Sequence, residues 1–322
     1  MKILFTSVGR RVELMQVFRH AANELNVDLT IIGTDITNTA PALFFCDEVR
    51  IVCRINEPEY IPQLISICKK EKVDCLIPTI DTDLLLLAEN KNKFEAVETK
   101  VLISTVDKVK ICRDKRFTAD YFNKLGLKSP LPVDSVGKYN SGYPAFIKPK
   151  DGSSSIDAYK VISENDLKAY AKRIRDYIIQ PFINGQEYTI DIFCDYEGNP
   201  VFITPRKRIV VRSGEVLKTQ ICQDKKIISE MKTLIADYKP CGPITVQLIR
   251  DDVTGDDYYI EINPRFGGGS PLSIKAGADS AKALIRLLNN EKLSYKDNAA
   301  RNDEIYSRFD QSICVNEECA KQ

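Results

Sequence analysis

One sign of charge barely outweighs the other: 46 Lys+Arg stand against 45 Asp+Glu, leaving the 322 residues a formal charge of +1. Such a balance offers no electrostatic footprint for nucleic acid or an anionic membrane. No apolar run reaches the roughly 18 residues that a membrane-spanning helix needs. Met1 leads straight into a strand-like segment without a basic lead or a small-residue cleavage site, so a cytoplasmic protein is expected. Histidine is nearly missing, His20 being the only one, and none of the ten cysteines forms a Cys-x-x-Cys pair. A zinc framework is therefore set aside, and most cysteines read as small buried hydrophobes. Glycine is missing where a nicotinamide-binding turn would need it: Ser7-Val8-Gly9-Arg10-Arg11 has one glycine after the first strand, not Gly-x-Gly-x-x-Gly.

What is present begins as a βαβ alternation. Lys2 to Ser7 reads as a strand, Leu14, Val17, Phe18, Ala21 and Leu25 keep a helical period, and a strand follows at Leu29 to Gly33. Strands at Val49–Val52, Cys75–Pro78 and Val101–Ile103 then alternate with helices at Tyr60–Lys70 and Leu84–Asn90, which predicts a parallel sheet covered by helices. Asp35, Asp81 and Asp83 follow strand ends, where such sheets bind ligands, although helix capping explains them equally well. A helix over Asp114–Leu125 carries Lys115 near its start. Beyond a Pro-rich linker, short strands at Ala145–Lys148 and Ala158–Ile162, a helix from Ser163 to about Arg175 and a strand at Tyr177–Gln180 predict a small α+β subdomain. A chain this long is expected to hold two or three packed units.

The chemistry gathers in the second half. Lys148 precedes Lys150-Asp151-Gly152-Ser153-Ser154-Ser155, either a polar hairpin loop or a loop folding over phosphates whose charge Lys148 neutralises. Gln180-Pro181-Phe182-Ile183 offers a strand edge and apolar side chains suited to a purine, and Glu187 could accept from ribose hydroxyls; a β-bend with a surface acid is the plainer alternative. Thr204 to Arg208 and Arg212 make a cationic cluster that composition reads as a solvated strand end. The apolar run Ile244–Ile249 contains Gln247, and the turn Asp251–Asp257 returns the chain antiparallel into Tyr258-Tyr259-Ile260-Glu261-Ile262-Asn263-Pro264-Arg265-Phe266-Gly267-Gly268-Gly269. Glu261 and Asn263, two apart on a strand, leave the same face as hard oxygen ligands suited to Mg²⁺, with Gln247 able to neighbour Glu261 across the hairpin. Arg265 projects to the same side, and the glycines let backbone approach a ligand closely.

Taken in order, Lys115, Lys148 with its Ser-rich loop, Gln180 to Ile183, Gly185 to Glu187, Gln247 and Glu261-x-Asn263-x-Arg265 resemble the ATP-grasp superfamily. The nearest likeness is to short single-module relatives of the carbamoyl-phosphate synthase large subunit, whose start Ile3 to Arg11 also resembles. The resemblance implies an α/β architecture: an N-terminal parallel-sheet (pre-ATP-grasp) domain over 1–110, an ATP-grasp fold of two α+β lobes over 111–300 with the small lobe at about 128–185, and a tail over 301–322, an edge element or a frayed end. It implies that Lys115, Lys148, Ser153 and Ser154 contact ATP phosphates, Gln180, Phe182 and Ile183 the adenine, and Glu187 the ribose. Gln247, Glu261 and Asn263 would hold Mg²⁺, two ions with Mn²⁺ able to substitute, while Arg265 and Lys148 act catalytically on the transferring phosphoryl group. Arg206 and Arg208 are the guanidiniums assigned to an incoming carboxylate. Gln180 stands where an acidic residue is common, and serines stand where relatives often carry glycines.

The activity so implied is an ATP-dependent carboxylate-amine (or carboxylate-thiol) ligase working through an acylphosphate and releasing ADP and phosphate. Its partners would be a small-molecule carboxylate and an amine, with no nucleic acid or membrane, and a homodimer is compatible with all of this. Two other readings stay open: a bicarbonate-dependent, carbamoyl-phosphate-synthase-like or carboxylating phosphotransferase, and a non-catalytic nucleotide-binding module.

Overall fold

The computed structural model describes residues 1–152 and 156–315. Its first half is a five-stranded parallel sheet of order β3-β2-β1-β4-β5, with β1 Lys2–Thr6, β2 Thr30–Asp35, β3 Glu48–Ile51, β4 Cys75–Pro78 and β5 Lys100–Val101. Between the strands lie α1 Val12–Glu24, α2 Tyr60–Glu71, α3 Leu84–Glu89 and α4 Lys91–Glu95. The central strands are apolar toward both faces, as a doubly covered parallel sheet requires. Ile3, Phe5 and Ile31 pack toward α1, while Leu4, Ile32 and Leu76 pack toward α2 and α3. The buried stripe of α1 is Leu14, Met15, Val17, Phe18, Ala21 and Ala22, the spacing of one helix face.

Next come α5 Val106–Arg113, α6 Lys115–Lys124, and a three-stranded antiparallel sheet of order β7-β6-β8, built from β6 Ala145–Pro149, β7 Tyr159–Val161 and β8 Tyr177–Pro181 and backed by α7 Glu164–Ala171. The remaining strands are β9 Gly185–Cys194, β10 Pro200–Arg212, β11 Glu215–Ile221, β12 Pro243–Asp251, β13 Asp257–Asn263 and β14 Ile305–Ser307, forming a sheet of order β13-β12-β9-β10-β11-β14. Three helices complete the chain: α8 Lys225–Tyr238, α9 Ser270–Lys275 and α10 Ser280–Leu288. Ile190, Ile192, Ile203, Ile244, Val246 and Leu248 bury one face of the large sheet against Ile228, Met231 and Ile235 of α8. The first core crosses from one half of the molecule to the other. Phe18 stands edge-on to both Phe5 and Phe266, with ring centroids 5.0 and 5.7 Å apart, and Ala281, Leu284 and Ile285 of α10 join the same cluster.

Three expectations about the elements need correction. The strand expected over Val101–Ile103 pairs only as Lys100–Val101, because the Ile103 N–H turns back to the Val101 carbonyl. The helix expected to reach Arg175 stops at Ala171; the Arg173 N–H takes the Tyr170 carbonyl three residues back, and Asp176 at φ +50 turns the chain into β8. Thr204 to Arg208 is not solvated but lies within the 13-residue β10, which buries Thr204, Arg206 and Arg208 in the sheet face, while Ile209 to Arg212 at the strand's end are exposed. Helices α5, α9 and α10 were not anticipated. In α5 only Val109 is buried, so there was little periodicity to read, and α9 is buried almost throughout and so lacks a polar face.

Candidate active site

The large sheet has one oily face and one polar face, and strand alternation makes the second as surely as the first. Gln247 lies directly opposite Glu261, and Thr245 opposite Asn263, across the β12–β13 pair. On the other side of β12, Gln247 faces Thr189 and Thr245 faces Asp191 of β9; these in turn face Arg206 and Thr204 of β10. Directly opposed residues share a face, so Asn263, Glu261, Gln247, Asp191 and Arg206 form one polar floor. Within it the Asn263 Nδ2 donates to Glu261 Oε1 at 2.9 Å, setting both oxygen-bearing groups side by side. The hairpin places Gln247, Glu261 and Asn263 together, a hard-oxygen donor set that suits Mg²⁺.

Two lysines approach this floor from the small sheet and α6. Lys148 of β6 is buried, with Nζ 5.6 Å from the Phe146 ring centroid. Burial lowers its pKa to about 8, the neighbouring Lys115 pushes the same way, and Glu261 opposes them. Burial also lowers the pKa of Lys115, while Glu261, Asp151 and Asp81 hold it up. The Lys115 Nζ donates to the Gly152 carbonyl at 2.8 Å, and its backbone N–H to Lys150 at 2.9 Å, so α6 starts on the loop that leaves β6. Ser153 and Ser154, expected on that loop, lie outside the described residues.

Between the lobes, the Gln180 amide is buried and donates to the Pro130 carbonyl. The Phe182 N–H donates to Pro144 at 3.1 Å, and Lys160 Nζ sits 4.1 Å from the Phe182 ring centroid; Ile183 follows, half-buried. Glu187 lies 3.1 Å from the buried Arg208 Nε, while Arg208 Nη2 donates to the Gly214 carbonyl at 2.9 Å. Arg206 is 1% exposed and fully engaged inside the protein. Its Nε donates to Asp191 Oδ2 at 2.7 Å and contacts Ser273 Oγ at 3.1 Å, while Ser270 and Ser273 also donate to Asp191. The Arg206–Asp191 pair ties the start of α9 to β9, whereas the Arg208 Nε, though close to Glu187, has no hydrogen-bond partner among the described residues.

Arg265 follows β13 and is held on both sides. Phe266, one residue on, is sunk in the first core, and the Arg265 Nη2 donates to Asp81 Oδ2 at 2.5 Å, after β4. Its Nε is buried without a hydrogen-bond partner among the described residues. Of the three acids after strand ends, Asp81 alone reaches this arginine. Asp35 accepts from the Gly9 N–H at 2.9 Å. Asp83 accepts from the hydroxyls of Thr6 and Tyr60, and burial raises its pKa to about 7.

The glycines after Arg265 prove to be crowded by protein. A Cβ at Gly267 would lie 2.8 Å from Thr245 Oγ1, one at Gly268 2.8 Å from Glu215 Oε2 and 3.1 Å from Arg11 Nη1, and one at Gly269 2.8 Å from Arg206 Nη2. Sequence reasoning missed Arg11, Asp191 and Glu215 as neighbours of the site, and singled out Asp81 only as one of three acids after strand ends. Asp191 left a further signal, the alternation Glu187-x-Thr189-x-Asp191 along one strand face.

Residues 112–269 match the family model described as an ATP-grasp domain, and residues 3–102 the one described as a PylC-like N-terminal domain. The chain is similar to carbamoyl-phosphate synthase of Methanobrevibacter smithii, 28% identical over 213 residues, which cover 64% of this chain and 55% of that protein. It thus spans about half the length of that relative. It is also similar to D-alanine–D-alanine ligase of Francisella tularensis, 28% identical over 201 residues, covering 57% of this chain and 68% of the ligase. Among solved structures, the biotin carboxylase domain of Hydrogenobacter thermophilus 2-oxoglutarate carboxylase, in complex with MgADP and bicarbonate, shares the fold. Its TM-score is 0.75 at 18% identity, over 94% of this chain and 73% of that one.

Proposed function

With an ATP-grasp domain behind a PylC-like N-terminal domain, the chain belongs to the ATP-grasp superfamily, and we propose that it is an ATP-dependent ligase joining a carboxylate to an amine through an acylphosphate. The observation that carries this reading is the polar floor itself: Gln247 opposite Glu261 across the hairpin and Asn263 hydrogen-bonded beside them, with Lys115 and Lys148 near enough for the Glu261 charge to hold up their pKa values. We assign Gln247, Glu261 and Asn263 to Mg²⁺, two ions in the fuller form of the proposal. Lys115 and Lys148 take the phosphates, Gln180, Phe182 and Ile183 the adenine, and Glu187 the ribose.

The bound magnesium would draw charge from the β- and γ-phosphate oxygens. Lys148 forms no ion pair with a carboxylate of the described residues, so its buried ammonium is available to phosphate where such a charge is worth most. Arg265, clamped between Asp81 and the Phe266 anchor, presents a preorganised donor as negative charge spreads over the transferring group. The carboxylate oxygen attacks the γ-phosphorus, ADP leaves, and the amine nitrogen then attacks the acyl carbon to expel phosphate. Arg206 is engaged by Asp191 and Arg208 by Gly214 and Glu187, which favours another guanidinium for the incoming carboxylate.

A screen of amino acids and sugar acids for stimulated ADP release identifies the acid. With that acid ¹⁸O-labelled in its carboxylate, the inorganic phosphate formed should carry one labelled oxygen per turnover and the amide the other. Labelled AMP, or unlabelled phosphate during confirmed amide formation, would sink the acylphosphate route. The likeness to carbamoyl-phosphate synthase supports a second reading, activation of bicarbonate, which predicts bicarbonate-dependent ADP release with no organic acid present.

A further inference from the structure

The seam where the N-terminal sheet meets the Gly267–Gly269 turn is crowded with charge. Most of its cations have a carboxylate of their own. Arg265 pairs with Asp81 at 2.5 Å, Arg308 with Glu215 at 2.9 Å and Glu13 at 3.7 Å, and Lys275 with Glu13 at 2.5 Å. Arg11 is different. Its Nη2 donates to the Thr79 carbonyl at 2.9 Å, but no carboxylate of the described residues forms an ion pair with it, and its Nη1 lies beside Gly268, 3.1 Å from where a Cβ would stand.

Three physical facts make this an unstable place for a lone cation. Arg11 is the N-cap residue of the 13-residue α1, and the helix start already carries positive potential. Desolvation first, then Arg265 and to a lesser extent Arg308, push the Arg11 pKa down to about 10 against the pull of Glu215 and Asp81. Finally, Glu215, whose carboxylate shares the space beside Gly268 with the Arg11 Nη1, is itself paired with Arg308 at 2.9 Å. Even a half-buried cation without a hydrogen-bonded counter-charge of its own costs stability.

We propose that Arg11 is the seat of the substrate carboxylate, which supplies the missing counter-charge at the seam between Thr79, Gly268 and Arg265. The proposal rests on the ligase reading above and adds to it the residue that recognises the acid. A planar guanidinium with one edge fixed by a backbone carbonyl offers its other edge for two parallel N–H···O bonds. The same chemistry would take an organic acid or bicarbonate. The C-terminal segment closes one side of the seat, since Arg308 reaches both Glu215 and Glu13, and Asp310 lies 3.9 Å from Arg10 and 3.2 Å from Arg212.

The test uses the full chain with MgADP and, in turn, acetate, bicarbonate and each standard L-amino acid as sodium salts, read as the shift in Tm against sodium chloride of equal ionic strength. At least one probe should raise the Tm of the wild type by several degrees and leave that of Arg11→Met unmoved, with Arg11→Lys between them. Without probe, Arg11→Met should melt at or above the wild-type temperature, because an uncompensated cation has gone. In ADP release, both variants should raise the KM for the stabilising acid tenfold or more and change the KM for ATP by no more than about twofold. Equal stabilisation of Arg11→Met, no stabilising probe for the wild type, or a drop of several degrees in the Tm of both unliganded variants would overturn the seat, the last by showing Arg11 to be a strut for Thr79. A probe that stabilises through Arg11 without stimulating ADP release supports the seat and removes the ligase reading instead; bicarbonate as the sole effective probe identifies the source of the anion.

Discussion

Lys148 carries its function in its protonation state. Burial and Lys115 hold its pKa near 8, so below that pH the ammonium is ready for phosphate, and above it binding must first draw a proton from solvent. The sign follows directly: the KM for ATP should be flat up to about pH 8 and then rise, approaching tenfold per pH unit at saturating magnesium. Lys148→Arg, whose guanidinium stays charged, should flatten that limb; an unchanged wild-type KM through pH 9 would show that Lys148 does not contact phosphate in its charged form. Legibility at this scale followed local pattern. Glu261, Asn263 and Gln247 could be read because a spacing of two and a hairpin determine which side chains meet. Asp81 could be read only as one of three acids after strand ends and Arg11 not as a site residue at all, since what each of them meets comes from tertiary packing. The stretch Thr204–Arg208 was misread because three cations in five positions look solvated until the strand puts Arg206 and Arg208 inside.

Elements were legible where one face is apolar and hidden where both faces or neither are. The β12–β13 hairpin stood out by its alternation and its turn, and α1 by its stripe, whereas α5 has a single buried residue to announce it. Strand β9 begins under a tighter constraint than its sequence suggests. A Cβ on Gly185 would lie 1.9 Å from the Arg250 carbonyl oxygen on the paired β12, a clash with backbone that no rotamer relieves. Gly185→Ala should therefore cost about 1–3 kcal/mol in urea unfolding and, by displacing the strand start two residues before Glu187, raise the KM for ATP. Gly137→Ala, with nothing within 4 Å of the new methyl, is the matched control and should leave both quantities unchanged. Equal stability of the two variants would mean that β9 can move away from β12 freely.

At the scale of the molecule, the segment after Ala300 turns out to be a structural member. Ile305–Ser307 pairs with Lys218–Gln220 on the outer side of β11, and Arg308 ties that edge to Glu13 at the start of α1. A chain ended after Ala300 should bare the β11 edge, melt several degrees lower and associate in a concentration-dependent way, as size-exclusion light scattering would show; a monomer of unchanged Tm would argue that the edge protects itself. The overall plan, a parallel sheet followed by antiparallel sheets, was readable from the change of period near residue 130. The sharing of one core between distant parts of the chain was not, because nothing local records which helix will cover which. That sharing bears on the protein's birth. The face of α1 is closed by Phe266 and by α10, and at a synthesis rate of roughly 5–20 residues per second the some 250 residues between the two helices take about 10–50 s to appear. For that interval the nascent N-terminal sheet carries an uncovered apolar flank of its own, a standing invitation to chaperones that ends only when the last helix emerges.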